Sequence, residues 1–182
     1  ELENLFGKFN TLSELAELVA RIPNISEILQ TILHRTMAAL NARVGSVMLL
    51  DEGTQTLKIA CAEGLDESVV TKTILRLGER IAGKVAQTGE AVVVEDIEQD
   101  PRLQKANDPK YDGSSFISMP LKARGKVMGV LNLSKRGDRR VFTQSDLTFL
   151  KSLLGHVSFA LENARLMNEA KEAAMRLKQV VN

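Results

Sequence analysis

The residues able to do chemistry in this chain are few. Cys61 is its single cysteine, and His34 and His156 are its two histidines. One thiol makes neither an internal disulfide nor a cysteine-rich metal site. Both histidines fall in stretches of helical pattern, where a lone histidine is more often core or surface than a haem ligand. No cluster of Cys, His and carboxylates has metal-ligand spacing, and no nucleophile is set beside a base. The acidic run Glu95, Asp96, Glu98 and Asp100 resembles a paired-carboxylate site, but charged loop edges of this kind are usually solvated. The chemistry on offer is recognition, and the chain reads as non-catalytic.

Composition narrows the partners. Hydrophobic residues make up 44% and charged residues 26% of 182 residues, ordinary for one globular domain with a sizeable core. The 24 basic and 23 acidic residues leave a net charge of +1, without the basic excess of a nucleic-acid footprint. Aromatics are 4%, with one tyrosine and no tryptophan, so stacking platforms for single strands are poorly supplied. No apolar run approaches the roughly 18 residues of a membrane span. The start, Glu1-Leu2-Glu3, lacks the basic-then-apolar pattern of a secretion signal. A cytoplasmic location is the expectation.

Periodicity indicates the elements that must position these residues. Residues 1–22 read as a helix with Leu2, Leu5, Phe9, Leu12, Ala16 and Val19 spaced 3, 4, 3, 4 and 3 apart. That repeat keeps one stripe against a partner helix. Pro23-Asn24 interrupts it. Asn24 or Ser26 then caps a second helix to about residue 40, with Ile28, Leu29, Ile32, Leu33, Thr36, Met37 and Leu40 on its buried side. Residues 46–51 and 56–62 form a hairpin around a turn at 52–54. A short helix spans 78–88, a strand 91–95, and residues 96–114 are polar and irregular, as functional or mobile loops are. Strands at 116–123 and 127–134 meet at the turn Arg124-Gly125-Lys126.

Thr143 N-caps the last helix, with Asp146 at the third position of the cap. One stripe of that helix, Leu147, Leu150, Leu154, Val157 and Leu161, suits packing on a sheet. A second, Phe159, Asn163, Leu166, Ala170, Ala173, Leu177 and Val180, runs past the globular part at spacings of 4 and 3. A seam of this kind needs a covering helix. The cover is a second copy in a dimeric bundle or the first helix of the same chain, and seams on both terminal segments favour the dimer. The order of elements is α+β, with an antiparallel sheet and helices gathered on one side.

Several ordered blocks carry a resemblance. They are Gly45-Ser46-Val47-Met48-Leu49-Leu50-Asp51, Ala62-Glu63-Gly64-Leu65, Gly78-Glu79-Arg80-Ile81-Ala82-Gly83-Lys84-Val85-Ala86 and Thr88-Gly89-Glu90. Val94-Glu95-Asp96-Ile97, Asp100-Pro101-Arg102, Ser118-Met119-Pro120-Leu121, Gly129-Val130-Leu131-Asn132 and Phe142-Thr143-Gln144-Ser145-Asp146 follow. In this order they resemble the GAF family across residues 26–165. The resemblance implies a GAF-like (profilin-like) six-stranded antiparallel sheet with helices on one face and long N- and C-terminal signalling helices. It divides the chain into a dimerisation or linker helix (1–22), a GAF domain (24–165) and a coiled-coil signalling helix (166–182).

The same resemblance implies a ligand pocket on the face opposite the helices, covered by the loop at 97–115. Its contacts would be Ser46, Ala62, Glu63, Ile81, Ala82, Asp96, Asp108, Tyr111, Ser115, Phe116, Ser118 and Asn132, with cyclic AMP or cyclic GMP as candidate ligand. An amide offers both donor and acceptor, so Asn132 suits a purine edge in either orientation. Equally, it reads as a buried amide tied to backbone. Ser46 reads as a cap at the entry to its strand, and Asp108 and Tyr111 as exposed loop residues. Cyclic-nucleotide-binding members often carry an Asn-Lys, Phe, Asp-Glu signature, which falls here on Lys135, Arg136, Phe142, Asp146 and Leu147. Arg136 stands in for the Lys and is placed to pair with Asp146, while the Asn and the Glu have no counterpart. Chromophore-carrying relatives hold a bilin through a Cys-His pair in the loop, whereas Cys61 lies on a strand. Relatives that reduce methionine sulfoxide need several cysteines.

These readings lead to a regulatory input module. Ligand would order the loop, shift the sheet and reorient the last helix, biasing an attached output domain. The alternatives are a dimerisation module without a small molecule and, against the cysteine count, a small-molecule redox enzyme.

Overall fold

Asn24 accepts the Ser26 N–H at 2.9 Å and so caps α1 (Ile25–Leu40). The computed structural model describes residues 24–97, 99–101, 115–136 and 140–181, with the backbone alone for 135, 136, 156, 157, 159, 160, 180 and 181. The seam residues Leu2, Leu5, Phe9, Leu12, Ala16 and Val19, and the loop residues Asp108 and Tyr111, lie outside the described residues. So do the side chains of Arg136, Phe159 and Val180. α1 ends where Asn41 turns into left-handed backbone, its N–H reaching the carbonyls of Ala38 and Met37.

The chain continues through β1 (Ala42–Asp51), β2 (Thr56–Glu63), α2 (Glu67–Lys72), β3 (Ile74–Arg76), α3 (Arg80–Thr88) and β4 (Val92–Val94). It ends with β5 (Phe116–Ala123), β6 (Lys126–Arg136) and α4 (Gln144–Val181). The strands make one six-stranded sheet in the order β3-β2-β1-β6-β5-β4, every neighbouring pair antiparallel. This is the α+β architecture with the six-stranded antiparallel sheet expected from the sequence, with β3 and α2 as additional elements; the helices are not all on one face, because the apolar side of α3 packs on the face opposite α1 and α4. The turn after β1 is held by Asp51, whose Oδ1 accepts the N–H groups of Gly53 and Thr54 at 2.9 and 3.0 Å. The Thr54 N–H is the main reason that this carboxyl sits below its ordinary pKa.

Alternation along the strands divides the core. One face carries Val47, Ile117, Met119, Leu131 and Leu133, packed against Ile28, Leu29, Ile32 and Leu33 of α1 and Leu147, Leu150 and Leu154 of α4. α1 crosses close here: a Cβ on Gly45 would stand 2.7 Å from Met37 Sδ and 2.8 Å from Leu33 Cδ1. The other face carries Met48, Leu57 and Val130, packed against Ala82, Val85 and Ala86 of α3. β6 approaches β1 so closely that a Cβ on Gly129 would run into the Met48 carbonyl oxygen.

α4 opens with a reciprocal cap. Asp146 Oδ2 accepts the Thr143 N–H at 2.9 Å, and Thr143 Oγ1 accepts the Asp146 N–H at 3.4 Å. The helix runs unbroken for 38 residues. Its first half is buried on the sheet as far as Leu161 and Ala164, 1% and 3% exposed. Beyond that point Leu166, Met167, Met175 and Leu177 are exposed, with Asn163, Ala170 and Ala173 beside them.

Candidate functional site

Register sets five residues side by side across the sheet. Ser46 on β1 pairs with Ala62 on β2 and with Asn132 on β6. Asn132 pairs with Ser118 on β5, which pairs with Val92 on β4. Directly opposed residues in an antiparallel sheet share a face. Ser46 is two residues from Met48 and Asn132 two from Val130, so the row lies on the α3 side, just past the patch that α3 packs against.

The polar members are linked. Ser118 Oγ donates to Asn132 Oδ1 at 2.8 Å, and Asn132 Nδ2 points to Ser46 Oγ at 3.4 Å. Ser118 is fully buried, Ser46 is 7% exposed and Asn132 is partly buried. Asn132 is therefore tied to side chains, not to backbone. Ser46 is mid-strand and not a cap at a strand entry, because β1 already begins at Ala42. Among the described residues nothing accepts the Ser46 hydroxyl proton or the second Asn132 N–H. Buried polar groups normally have partners, so this row holds unused hydrogen-bonding capacity: the Ser46 O–H and the second Asn132 N–H as donors, and the remaining lone pairs of its oxygens as acceptors.

The other expected contacts divide. Phe116 is on the same face as Ser118, and Ile81 and Ala82 are on α3, where Ala82 is buried in the smaller core. Ser115 acts as a clasp: its hydroxyl donates to the Val94 carbonyl at 2.9 Å and accepts the Phe142 N–H at 2.7 Å, joining the end of β4 to the approach of α4. Asp96 forms a turn through its carbonyl, which accepts the N–H groups of Gln99 and Asp100. Glu63 is separated from the row. It pairs in register with Gly45, on the α1 side, and its carboxylate meets His34 Nδ1 of α1 at 3.2 Å.

A concavity of about 640 Å³ lies apart from the row, between α1 and β2, lined by Gln30, Thr31, His34 and Arg35 on one side and Cys61 and Glu63 on the other. Burial pushes the Cys61 thiol up to about 11. It is thus protonated near neutrality, unlike a catalytic thiolate. Among the described residues no three of His, Cys, Asp and Glu are grouped to hold a metal ion, and no helix is long and apolar enough to cross a membrane.

Sequence reasoning named Ser46, Ser118 and Asn132 separately and missed that they form one row. The available signal was the interruption of apolar alternation in Ile117-Ser118-Met119 and Leu131-Asn132-Leu133. It also missed the clasp role of Ser115.

Comparison with known proteins places this geometry in context. The chain is 27% identical over 180 residues to a Nif-specific regulatory protein of Herbaspirillum seropedicae, covering 92% of the chain and 33% of that protein. It is 26% identical over 187 residues to the dual 3',5'-cyclic-AMP and -GMP phosphodiesterase 11 of Drosophila melanogaster, covering 94% of the chain and 13% of that protein. The chain thus spans a third or less of the length of these curated relatives. Among solved structures, the GAF domain from an Acinetobacter phosphoenolpyruvate-protein phosphotransferase superposes with a TM-score of 0.73 at 25% identity, covering 89% of this chain and 97% of that one. The family model described as the GAF domain matches residues 23–162. Fold, register and sequence agree, and the chain belongs to the GAF domain family.

Proposed function

We propose that this GAF domain is a non-catalytic sensor module of a larger signalling protein, taking a small molecule on the α3 face of its sheet. The row of Ser46, Asn132 and Ser118 carries the reading. Burying polar groups on a sheet face costs stability unless they are bonded, and here donors remain over. Cyclic AMP or cyclic GMP is the candidate ligand, supported by the likeness to a phosphodiesterase named for both. The ligand set expected from the sequence, with Asp108 and Tyr111 on the covering loop, belongs to this proposal, as does a cytoplasmic location. A ligand that binds only the folded state must raise its melting temperature. Saturating cyclic AMP and cyclic GMP should each be tried by thermal shift, and no rise with either would reject the nucleotide assignment.

The signal would leave through α4. Its outer half, residues 166–182, is the output helix in this reading, pairing with its copy in a homodimer together with residues 1–22. The exposure of Leu166 and Leu177, with Ala170 and Ala173 between them, supports it, because apolar side chains in a heptad want cover. Sedimentation of a chain ending at residue 165 should show monomers, and persistence of the dimer would place the interface elsewhere. The same exposed stripe favours a second reading, a dimerisation module with no small molecule. In that case truncation abolishes pairing and no ligand shifts the melting temperature.

A further inference from the structure

We propose that the tip of the β5–β6 hairpin is the joint that passes a change on the α3 face to α4, with Arg124 as its contact. The inference rests on the ligand-site reading above. α3 and α4 pack on opposite faces of the sheet, so a signal between them has to travel through strands. This hairpin touches both helices. On one side, a Cβ on Gly89, which ends α3 in left-handed backbone, would stand 3.2 Å from Lys122 Nζ and 3.5 Å from Val127 Cγ2. On the other, Arg124 Nε meets Glu162 Oε1 of α4 at 3.2 Å. The same two strands carry the bonded Ser118 and Asn132, so the row and the tip belong to one hairpin.

The contact sits where the seated half of α4 ends, since Glu162 lies between the buried Leu161 and Ala164. Its side chain is 12% exposed, and Arg124 is its ion-pair partner among the described residues. Arg165, on the next turn, is taken by Glu169 at 2.9 Å. The Arg124 side chain is 74% exposed, so the pair is of the modest kind that can be made and released. Arg124 and Gly125 form the turn with φ of +50° and +76°. A two-residue turn with both φ positive favours Asn or Gly at its first position. Local turn chemistry therefore does not account for an arginine there, whereas its reach to Glu162 does. Between the row and the tip the pairing slips after Leu121, a bulge that bends and twists the strand. A change of twist at the row is thus expressed as a displacement of the tip.

Hydrogen exchange of the full chain, followed by mass spectrometry, tests this with and without saturating cyclic GMP or cyclic AMP. Without nucleotide, Arg124→Gly and Glu162→Gln should each speed exchange about threefold to fivefold in residues 162–170 of α4. The last turn of α3, residues 85–89, should speed up with them, while the melting temperature stays within about 4 °C of wild type. Arg124→Lys keeps the charge and should match wild type within about twofold. Faster exchange confined to α4, or none in either helix, makes the contact a local ion pair and overturns the joint. A nucleotide that binds should alter α4 exchange in the wild type and not in Arg124→Gly, at affinities within about threefold of each other. Binding that leaves wild-type α4 unchanged overturns the joint and leaves the ligand site standing. If neither nucleotide binds, the nucleotide assignment falls alone, and the comparison without nucleotide still decides the joint.

Discussion

The two faces of the sheet are built to different rules. The face under α1 and α4 carries the larger apolar core, and the polar Thr36 within it is satisfied locally by donating to Ile32 O at 2.7 Å. The face under α3 has a smaller apolar patch and, next to it, a row of two hydroxyls and an amide with donors unspent. The first arrangement maximises burial. The second gives up some burial and retains directional groups, the composition that the proposed ligand site requires.

The comparison predicts effects of unequal size. On the α1 face, Ile32→Ala should cost about 2–5 kcal/mol, because the cavity cannot be refilled by neighbours as tightly packed as these; urea unfolding measures it. A loss below about 1 kcal/mol would mean that this face is no stiffer than the other. Cys61 belongs to the same side, and its thiol, raised from 9.0 to about 11, should alkylate about a hundredfold slower than a free cysteine at pH 8. Iodoacetamide kinetics followed by mass give the rate, and fast labelling would show the α1 groove to be chemically active. On the α3 face, combining Ser46→Ala, Ser118→Ala and Asn132→Leu removes donors and acceptors together, so stability should change by no more than about 1 kcal/mol. Any ligand-induced rise in melting temperature should vanish with it, and a large loss of stability instead would make the row a structural network.

The smallest effect lies off both faces. The lowered folded pKa of Asp51 means that its carboxylate stabilises the β1–β2 turn above the ordinary value of 3.8. That contribution disappears as pH falls through the lower folded value. Urea midpoints of the wild type and Asp51→Asn should therefore differ slightly at pH 6 and converge only as pH falls below the ordinary carboxylate range. A gap that widens on acidification would reverse the sign.

Much of this was legible in the residues. The hairpins, the Thr143 and Asp146 cap and the unbroken last helix follow from alternation, turn chemistry and heptads, all local signals. β3 escaped because three residues are too few to show alternation, and α2 because it buries no residue and so has no apolar stripe. The site was legible only in parts. Ser46 and Asn132 are 86 positions apart, and strand pairing alone brings them together. Glu63 shows how fine the margin is: a neighbour of Ala62 in sequence, it faces the other way, since one step along a strand exchanges faces.

α4 also has a mechanical consequence. It has no proline, and between Ala164 and Val181 it extends about 26 Å at 1.5 Å per residue. A rod of that length is a lever arm: tilting its seated half by about 5° carries the far end about 2 Å, the width of a side-chain contact. If α4 is the output helix proposed above, the domain need not deform much to be read at a distance, because amplification is built into the length of one helix.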